Sequence, residues 1–199
     1  MKPAVFLDRD GVLNELVADP VSGAAESPLT VEQVRLVPGA ATAAACLADA
    51  GYMLVCVSNQ PAAAKGSVSV ATLLAVHRQV TELLAEQGVA LAASRLCLHH
   101  EQAVVAGLAG PCACRKPAPG MLLDAAGALG IDLANSWMVG DTDADIAAGK
   151  SAGCRTLLIR HPGSVHKRLQ VVAADFVADS LADGVRKLTI QCSETRAKT

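Results

Sequence analysis

The chain has 199 residues, of which 52% are apolar and 18% charged, with a formal net charge of -2. That composition excludes a disordered chain. With aromatic residues at only 2%, it offers neither the basic footprint of a duplex binder nor the stacking platform of a single-strand binder.

The elements alternate along the chain. Ala4 to Leu7 is a short apolar run that reads as a fully buried strand ending at Asp8. A loop with Pro20, Gly23 and Pro28 follows Asp10-Gly11. Pro38-Gly39 opens a helix to about Ala50, and Gly51 stops it. Met53 to Val57 is a second buried strand running into Ser58-Asn59-Gln60. A long helix spans Val70 to about Gln87, and Arg95 to Leu98 is a third strand. Residues 99 to 119 have no period and form a loop rich in Gly and Pro. Helix Met121 to Leu129, strand Trp137 to Val139, helix Asp143 to about Ala152, strand Thr156 to Ile159, a short strand at Phe176-Val177 and a helix from Leu181 to Leu188 complete the pattern. From Gln191 the chain reads as a polar, frayed tail. Alternation of this kind predicts an α/β fold, a parallel sheet covered by helices on both faces, with ligands beyond the carboxyl ends of the strands. Residues 1–190 are expected to form a single domain, followed by a flexible tail over 191–199.

No run approaches the ~20 apolar residues of a membrane span. Asp8 cuts the apolar start too short for a secretory signal. A cytoplasmic protein without nucleic-acid or membrane partners is expected, monomeric rather than oligomeric. The cysteine count of seven is odd and argues against a disulfide framework. Cys46, Cys56 and Cys154 lie in apolar segments and read as small buried residues. His77, His161 and His166 have no partner pattern and read as surface residues.

Four polar groups fall at strand ends or beyond them. Asp8 and Asp10, two residues apart after the first strand, can converge on one cation, and Mg²⁺ favours such a carboxylate site shared with substrate phosphate. Asp8 can also attack phosphorus, with Asp10 placed to move the proton; the plainer alternative is a polar turn. Ser58 ends the second strand and can hold phosphoryl oxygens or merely cap a turn. Lys116, held extended before Pro117, can set a point charge on a phosphoryl group or lie solvated at the surface. Asp141, Asp143 and Asp145 open a helix after the fourth strand; they can complete a Mg²⁺ site or complement the helix dipole.

The order of these groups, Asp-x-Asp, Ser, Lys and Gly-Asp-x-x-x-Asp, each after its own strand, resembles the haloacid dehalogenase superfamily of phosphohydrolases over roughly residues 4 to 188. The resemblance implies a Rossmann-like three-layer fold with a minimal cap. It implies Asp8 as nucleophile and Mg²⁺ ligand, Asp10 as general acid/base and ligand through its carbonyl, and Asp141 as the third ligand with Asp145 supporting it. Ser58 and Lys116 would bind the phosphoryl group, with Asn59, Gln60 and Arg115 contacting substrate.

Cys97-Leu98-His99 and Cys112-Ala113-Cys114 form two tight pairs twelve residues apart. Three thiols and an imidazole suit tetrahedral Zn²⁺ with no open position, hence a structural site that fixes a long loop upstream of Arg115-Lys116. His100 is an alternative to His99, and buried cysteines with a surface histidine are the plainer reading. This clip, followed by Arg-Lys-Pro, is similar to the heptose-bisphosphate phosphatases and the related histidinol-phosphatases within the superfamily. The implied reaction removes the C7 phosphate of a small phosphorylated sugar, D-glycero-D-manno-heptose 1,7-bisphosphate, on the way to nucleotide-activated heptose for lipopolysaccharide. Departures fall in the loops: Pro61 removes a backbone N–H, Lys65 stands for an Arg and Thr142 for a Lys. The rival readings are a histidinol-phosphatase or another small-metabolite phosphatase and, from a different class, a zinc-stabilised binding module without catalysis. A DNA 3′-end phosphatase is disfavoured by the acidic charge.

Overall fold

The computed structural model describes residues 1–19, 23–169 and 172–196, with side chains described as far as Leu188. In chain order the elements are β1 (Ala4–Leu7), β2 (Val17–Ala18), β3 (Ala25–Glu26), α1 (Ala40–Asp49), β4 (Met53–Asn59), α2 (Val70–Glu86), β5 (Ala93–Cys97) and α3 (Gly120–Leu129). Then come β6 (Trp137–Gly140), α4 (Asp143–Ser151), β7 (Arg155–Ile159), β8 (Phe176–Ala178) and α5 (Leu181–Arg196). Six strands make one sheet in the order β5-β4-β1-β6-β7-β8, and every pairing is parallel. The chain leaves β1 toward β4 and β5, then returns to its other side for β6. The order therefore reverses at β1, where open α/β sheets place their ligands.

Successive side chains of a strand point to opposite faces. Val5 and Leu7 join an apolar cluster with Leu47 of α1, Leu84 of α2 and Val185 of α5. Ala4 and Phe6 join the opposite cluster with Leu122 of α3 and Ala148 of α4. Being buried on both faces is why β1 and the centre of β4 read as unbroken apolar runs. The largest side chain in the core, Trp137, packs 5.7 Å from Phe176 and beneath the Arg155 guanidinium.

Several expectations needed correction. The segment taken as plain loop after Asp10-Gly11 contains an antiparallel ribbon, β2 with β3, in register Val17↔Glu26. The final helix does not stop at Leu188 but runs to Arg196, because a polar amphipathic end and a polar tail have the same composition; residues 197–199 lie outside the described residues. Cys46 faces outward on α1, whereas Cys56 and Cys154 are buried. His77 on α2 is half-buried and not at the surface, and burial holds its imidazole down to about 4. His161 is also half-buried, with Nε2 3.6 Å from Glu15, while His166 is exposed. No helix among the described residues is long and apolar enough to cross a membrane.

Candidate active site and metal centres

The carboxyl ends of β1, β4 and β6 converge on a pocket of about 330 Å³ whose lining includes Asp8, Asp10, Ser58, Asn59, Arg115, Lys116, Asp141 and Asp145. Asp8 follows the central strand, its backbone N–H bonded to Val139 carbonyl across to β6 at 2.9 Å. Gly11, with φ +80°, turns the chain back over Asp141; a Cβ there would lie 2.3 Å from Asp141 Oδ2, so only glycine admits the approach. Gly140 does the same at the end of β6, where a Cβ would lie 2.2 Å from that of Asp145.

Lys116 is buried at the centre of this arrangement. Its Nζ lies 2.8 Å from Asp8 Oδ1 and 2.6 Å from Asp145 Oδ1, and donates to Val57 carbonyl at 2.8 Å. Asn59 fixes the lysine backbone from both sides: its Nδ2 donates to Lys116 carbonyl at 2.9 Å and its Oδ1 accepts from Lys116 N–H at 3.0 Å. Asn59, expected to contact substrate, thus spends both ends of its amide on placing Lys116. Asp145 is likewise divided. Its Oδ2 accepts from Thr142 N–H at 3.0 Å and from the Thr142 hydroxyl at 2.6 Å, closing the first turn of α4, and its Oδ1 faces the lysine.

Asp8, Asp141 and Asp145 bring oxygens within 4.8 Å of one another. Burial lifts the Asp8 carboxyl to about 6, Lys116 offsetting only part of it and Asp145 and Asp10 adding to it. Burial, Asp8 and Asp145 push Asp141 up to about 8. Burial alone would lower the Lys116 ammonium, yet Asp145 and Asp8 hold it well above the usual lysine range. Three carboxylates therefore share one ammonium. The surplus of negative charge, the all-oxygen donor set and the pocket in front of it fit Mg²⁺.

Asp10 lies just outside this cluster, and its carboxylate has a separate set of partners. Arg9, fully buried, donates from Nε to Oδ1 and from Nη2 to Oδ2, each at 3.1 Å. Asn14 Nδ2 donates to Oδ1 at 2.9 Å, and Ser27 Oγ and Gln60 Nε2 donate to Oδ2 at 2.9 and 2.6 Å. Burial would raise the Asp10 carboxyl, but Arg9 and these three donors hold it below the usual carboxylate range. Gln60, expected to touch substrate, is buried and bridges Asp10 to Ser58 Oγ at 2.9 Å. Arg9, Asn14, Ser27 and Ser164, which donates to Asp141 Oδ2, were not picked out as site residues from the sequence. Only Arg9 and Asn14 carried a signal: a charge and an amide beside two strand-end carboxylates.

The cysteine loop closes beside the same edge. Cys97 at the end of β5 places Sγ 3.7 Å from Cys112 Sγ and 3.0 Å from Cys114 Sγ, and these two thiols are 3.5 Å apart. His99 Nδ1 lies 3.8 and 3.4 Å from Cys97 and Cys114. Tetrahedral Zn²⁺ with thiolate bonds of ~2.3 Å sets edges of about 3.7 Å. The four donors fit that ion and leave no open position. Burial and the neighbouring thiols push Cys114 up, and burial pushes Cys97 up; Cys112 is held below its ordinary value, burial being outweighed by the Cys114 and Cys97 thiols and the backbone beside Arg115. Such crowding disfavours three thiolates without a cation. His99 and not His100 belongs to the cluster: His100 Nδ1 is taken by the Gln102 N–H at 3.1 Å. Arg115, next in the chain, lines the pocket and donates to His99 carbonyl at 3.2 Å.

A HAD-hydrolase-like family profile matches residues 113–184. The D-glycero-beta-D-manno-heptose-1,7-bisphosphate 7-phosphatase of Yersinia pestis is 36% identical over 181 residues, 91% of this chain and 92% of the relative. That of Vibrio cholerae is 35% identical over 185 residues, 92% of this chain and 94% of the relative. The crystal structure of D,D-heptose 1,7-bisphosphate phosphatase from B. bronchiseptica, complexed with magnesium and phosphate, matches with a TM-score of 0.77 at 31% identity, covering 96% of this chain and 99% of that one. A putative HAD-like phosphatase from Mesorhizobium loti matches with a TM-score of 0.76 at 32% identity over 94% of this chain and 87% of that one. Fold and site thus define a HAD-like hydrolase. Within that class the chain belongs to the family of the D-glycero-D-manno-heptose-1,7-bisphosphate 7-phosphatases.

Proposed function

We propose that this chain is a Mg²⁺-dependent phosphatase that removes the C7 phosphate of D-glycero-D-manno-heptose 1,7-bisphosphate through an aspartyl-phosphate. The observation that carries the reading is the Asp8 carboxylate 2.8 Å from the buried Lys116 ammonium on the floor of a pocket, beside two further acids. Asp8, Asp141 and the Asp10 carbonyl would hold Mg²⁺, which when bound neutralises phosphoryl oxygens and the surplus carboxylate charge. Lys116 and Ser58 bind the remaining phosphoryl oxygens.

In the first half-reaction an Asp8 oxygen bonds to phosphorus as the bond between phosphorus and the sugar's C7 oxygen breaks, and that leaving oxygen takes a proton from Asp10. In the second, Asp10 takes a proton from water as the water oxygen bonds to phosphorus. The bond to Asp8 then breaks, and phosphate and the free carboxylate are restored. The Arg9, Asn14, Ser27 and Gln60 donors hold Asp10 in the form that accepts this proton. Loading it for the first step requires the Ser27 hydroxyl at the pocket edge to turn from donor to acceptor. Zn²⁺ on Cys97, His99, Cys112 and Cys114 would be structural and would keep Arg115 and Lys116 in place. The chain is read as a cytoplasmic monomer: thiols hold a metal only when reduced, which a reducing compartment maintains.

Pro61, Lys65 and Thr142, each a departure from the family pattern, line the pocket. That observation favours testing a second substrate, histidinol phosphate, beside the first. Phosphate release is measured with Mg²⁺ on heptose 1,7-bisphosphate, histidinol phosphate and a panel of sugar phosphates. Preference for the bisphosphate, with D8N inactive, supports the reading. Preference for histidinol phosphate moves the chain to that substrate, and no hydrolysis of any compound by the wild type leaves a binding module.

A further inference from the structure

Ser164 is one of the few fully buried polar residues, and it belongs to a 3-10 turn (Pro162–Lys167) that follows the carboxyl end of β7, next to the exposed Val165. Its hydroxyl donates to Asp141 Oδ2, the oxygen that also lies against Gly11. Oδ2 is thus enclosed between the Gly11 backbone and the Ser164 hydroxyl. Oδ1 is the oxygen that these two contacts leave free, and one oxygen of this acid lies within 4.8 Å of oxygens of Asp8 and Asp145. The turn that carries Ser164 is tied down on several sides. Arg168 Nη1 donates to the Asp141 carbonyl at 3.2 Å and to the His161 carbonyl at 2.9 Å. His161 Nδ1 accepts from Gly163 N–H at 3.1 Å. Lys167 reaches Glu26 on β3 at 3.4 Å.

We propose that Ser164 is a positioning residue for the divalent-cation site: by occupying Asp141 Oδ2 from a rigidly tethered turn, it fixes the rotation of that carboxylate and presents Oδ1 to the ion. The proposal rests on the Mg²⁺ reading above and assigns a role to a side chain that touches neither substrate nor ion. Outer partners that orient a ligating carboxylate change metal affinity about 10–100-fold when removed. Without the hydroxyl, Asp141 is free to turn, and the ordering that the protein provides in advance has to be made good by the ion.

The test titrates wild type, S164A and S164T with magnesium chloride in two ways. The first follows the melting temperature with no substrate present. The second follows the Mg²⁺ concentration that gives half-maximal phosphate release. S164A is expected to need about tenfold more Mg²⁺ in both titrations, with kcat at saturating Mg²⁺ within about twofold of wild type. S164T keeps the donor and is expected to titrate as wild type. An S164A midpoint equal to that of wild type overturns the proposal, and so does a fall in kcat with an unchanged midpoint. If S164A does not fold, S164C replaces it: its thiol is a weak donor, so a wild-type midpoint in S164C overturns the role and a raised one supports it. A wild type whose melting does not respond to Mg²⁺ removes the cation reading itself. A responsive wild type matched by S164A removes only the role of Ser164.

Discussion

Replacing Lys116 by methionine keeps the length and apolar packing of the side chain and removes its charge. In the wild type the ammonium lies 2.8 Å from Asp8 and 2.6 Å from Asp145, with a third contact to the Val57 carbonyl. Removing one partner of a buried ion pair costs about 3–5 kcal/mol. For a chain of this size each kcal/mol shifts the melting temperature by about 2–4 °C. K116M is therefore expected to melt on the order of 10 °C lower in EDTA. The loss comes from three acids left without a counter-charge, so Mg²⁺ should recover much of it, more in K116M than in wild type. Lowering the pH should recover part of it as well, beginning above the wild-type Asp8 value of about 6, because Lys116 is one of the groups that hold that carboxyl down. Phosphate release at saturating Mg²⁺ should fall about 10²–10³-fold, the value of a preorganised donor in a dry site, because Mg²⁺ does not replace the ammonium at the phosphoryl oxygens. Paired melting curves in EDTA and Mg²⁺ with a phosphate-release assay check this. A K116M protein that melts with wild type in EDTA, or keeps nearly full activity, refutes the placement of Lys116 as the shared counter-ion.

Wild-type protein without divalent cation should grow more stable as pH falls from about 8 through about 6. A carboxyl raised on folding binds its proton more tightly in the native state, so stability is lost as pH rises through the native value. Saturating Mg²⁺ should flatten that dependence, and melting curves at several pH values in EDTA and Mg²⁺ decide it. N59A removes both hydrogen bonds to the Lys116 backbone. Leaving those groups unpaired should cost about 1–3 kcal/mol and lower kcat more than KM, as steady-state kinetics and denaturant curves would show. Chelating zinc, or C114S, should lower the melting temperature and phosphate release together, with no rescue by Mg²⁺. Metal analysis that finds no zinc in active protein contradicts the clip.

The six strands of the main sheet were legible because parallel strands buried on both faces leave apolar runs, though their order in the sheet was not. Asp8, Ser58 and Asp141 were singled out because they stand where such runs end, Lys116 by its place before Pro117, and the Cys-His clip by its spacing; the structure brings the first four to one pocket. The roles of their supporters were not legible, since those roles exist only in three dimensions. Arg9 sits between two aspartates, the setting of a solvated charge, yet it is fully buried against Asp10. Asn59 and Gln60 follow Ser58 at the end of β4, but Gln60 turns back to Asp10 and Asn59 to Lys116. Ser27 and Ser164 come from irregular segments 17 and 23 residues from their acids, with no local pattern to mark them. The end of α5 was missed for the opposite reason: its local pattern is polar enough to be read either way.

Cys97 and Cys114 stand 3.0 Å apart although 17 residues separate them, so the excursion between them is cinched at its neck. Lengthening or shortening its outer part, where Val104 is 76% exposed, is expected to leave Arg115 and Lys116 in place, as phosphate release by loop-length variants would show. Val104 nevertheless leans on Ala64, its N–H bonded to that carbonyl at 2.8 Å beside the pocket residue Lys65. The tip is thus a graft point at which evolution or a library can retune the choice of sugar while the hydrolytic core is inherited unchanged.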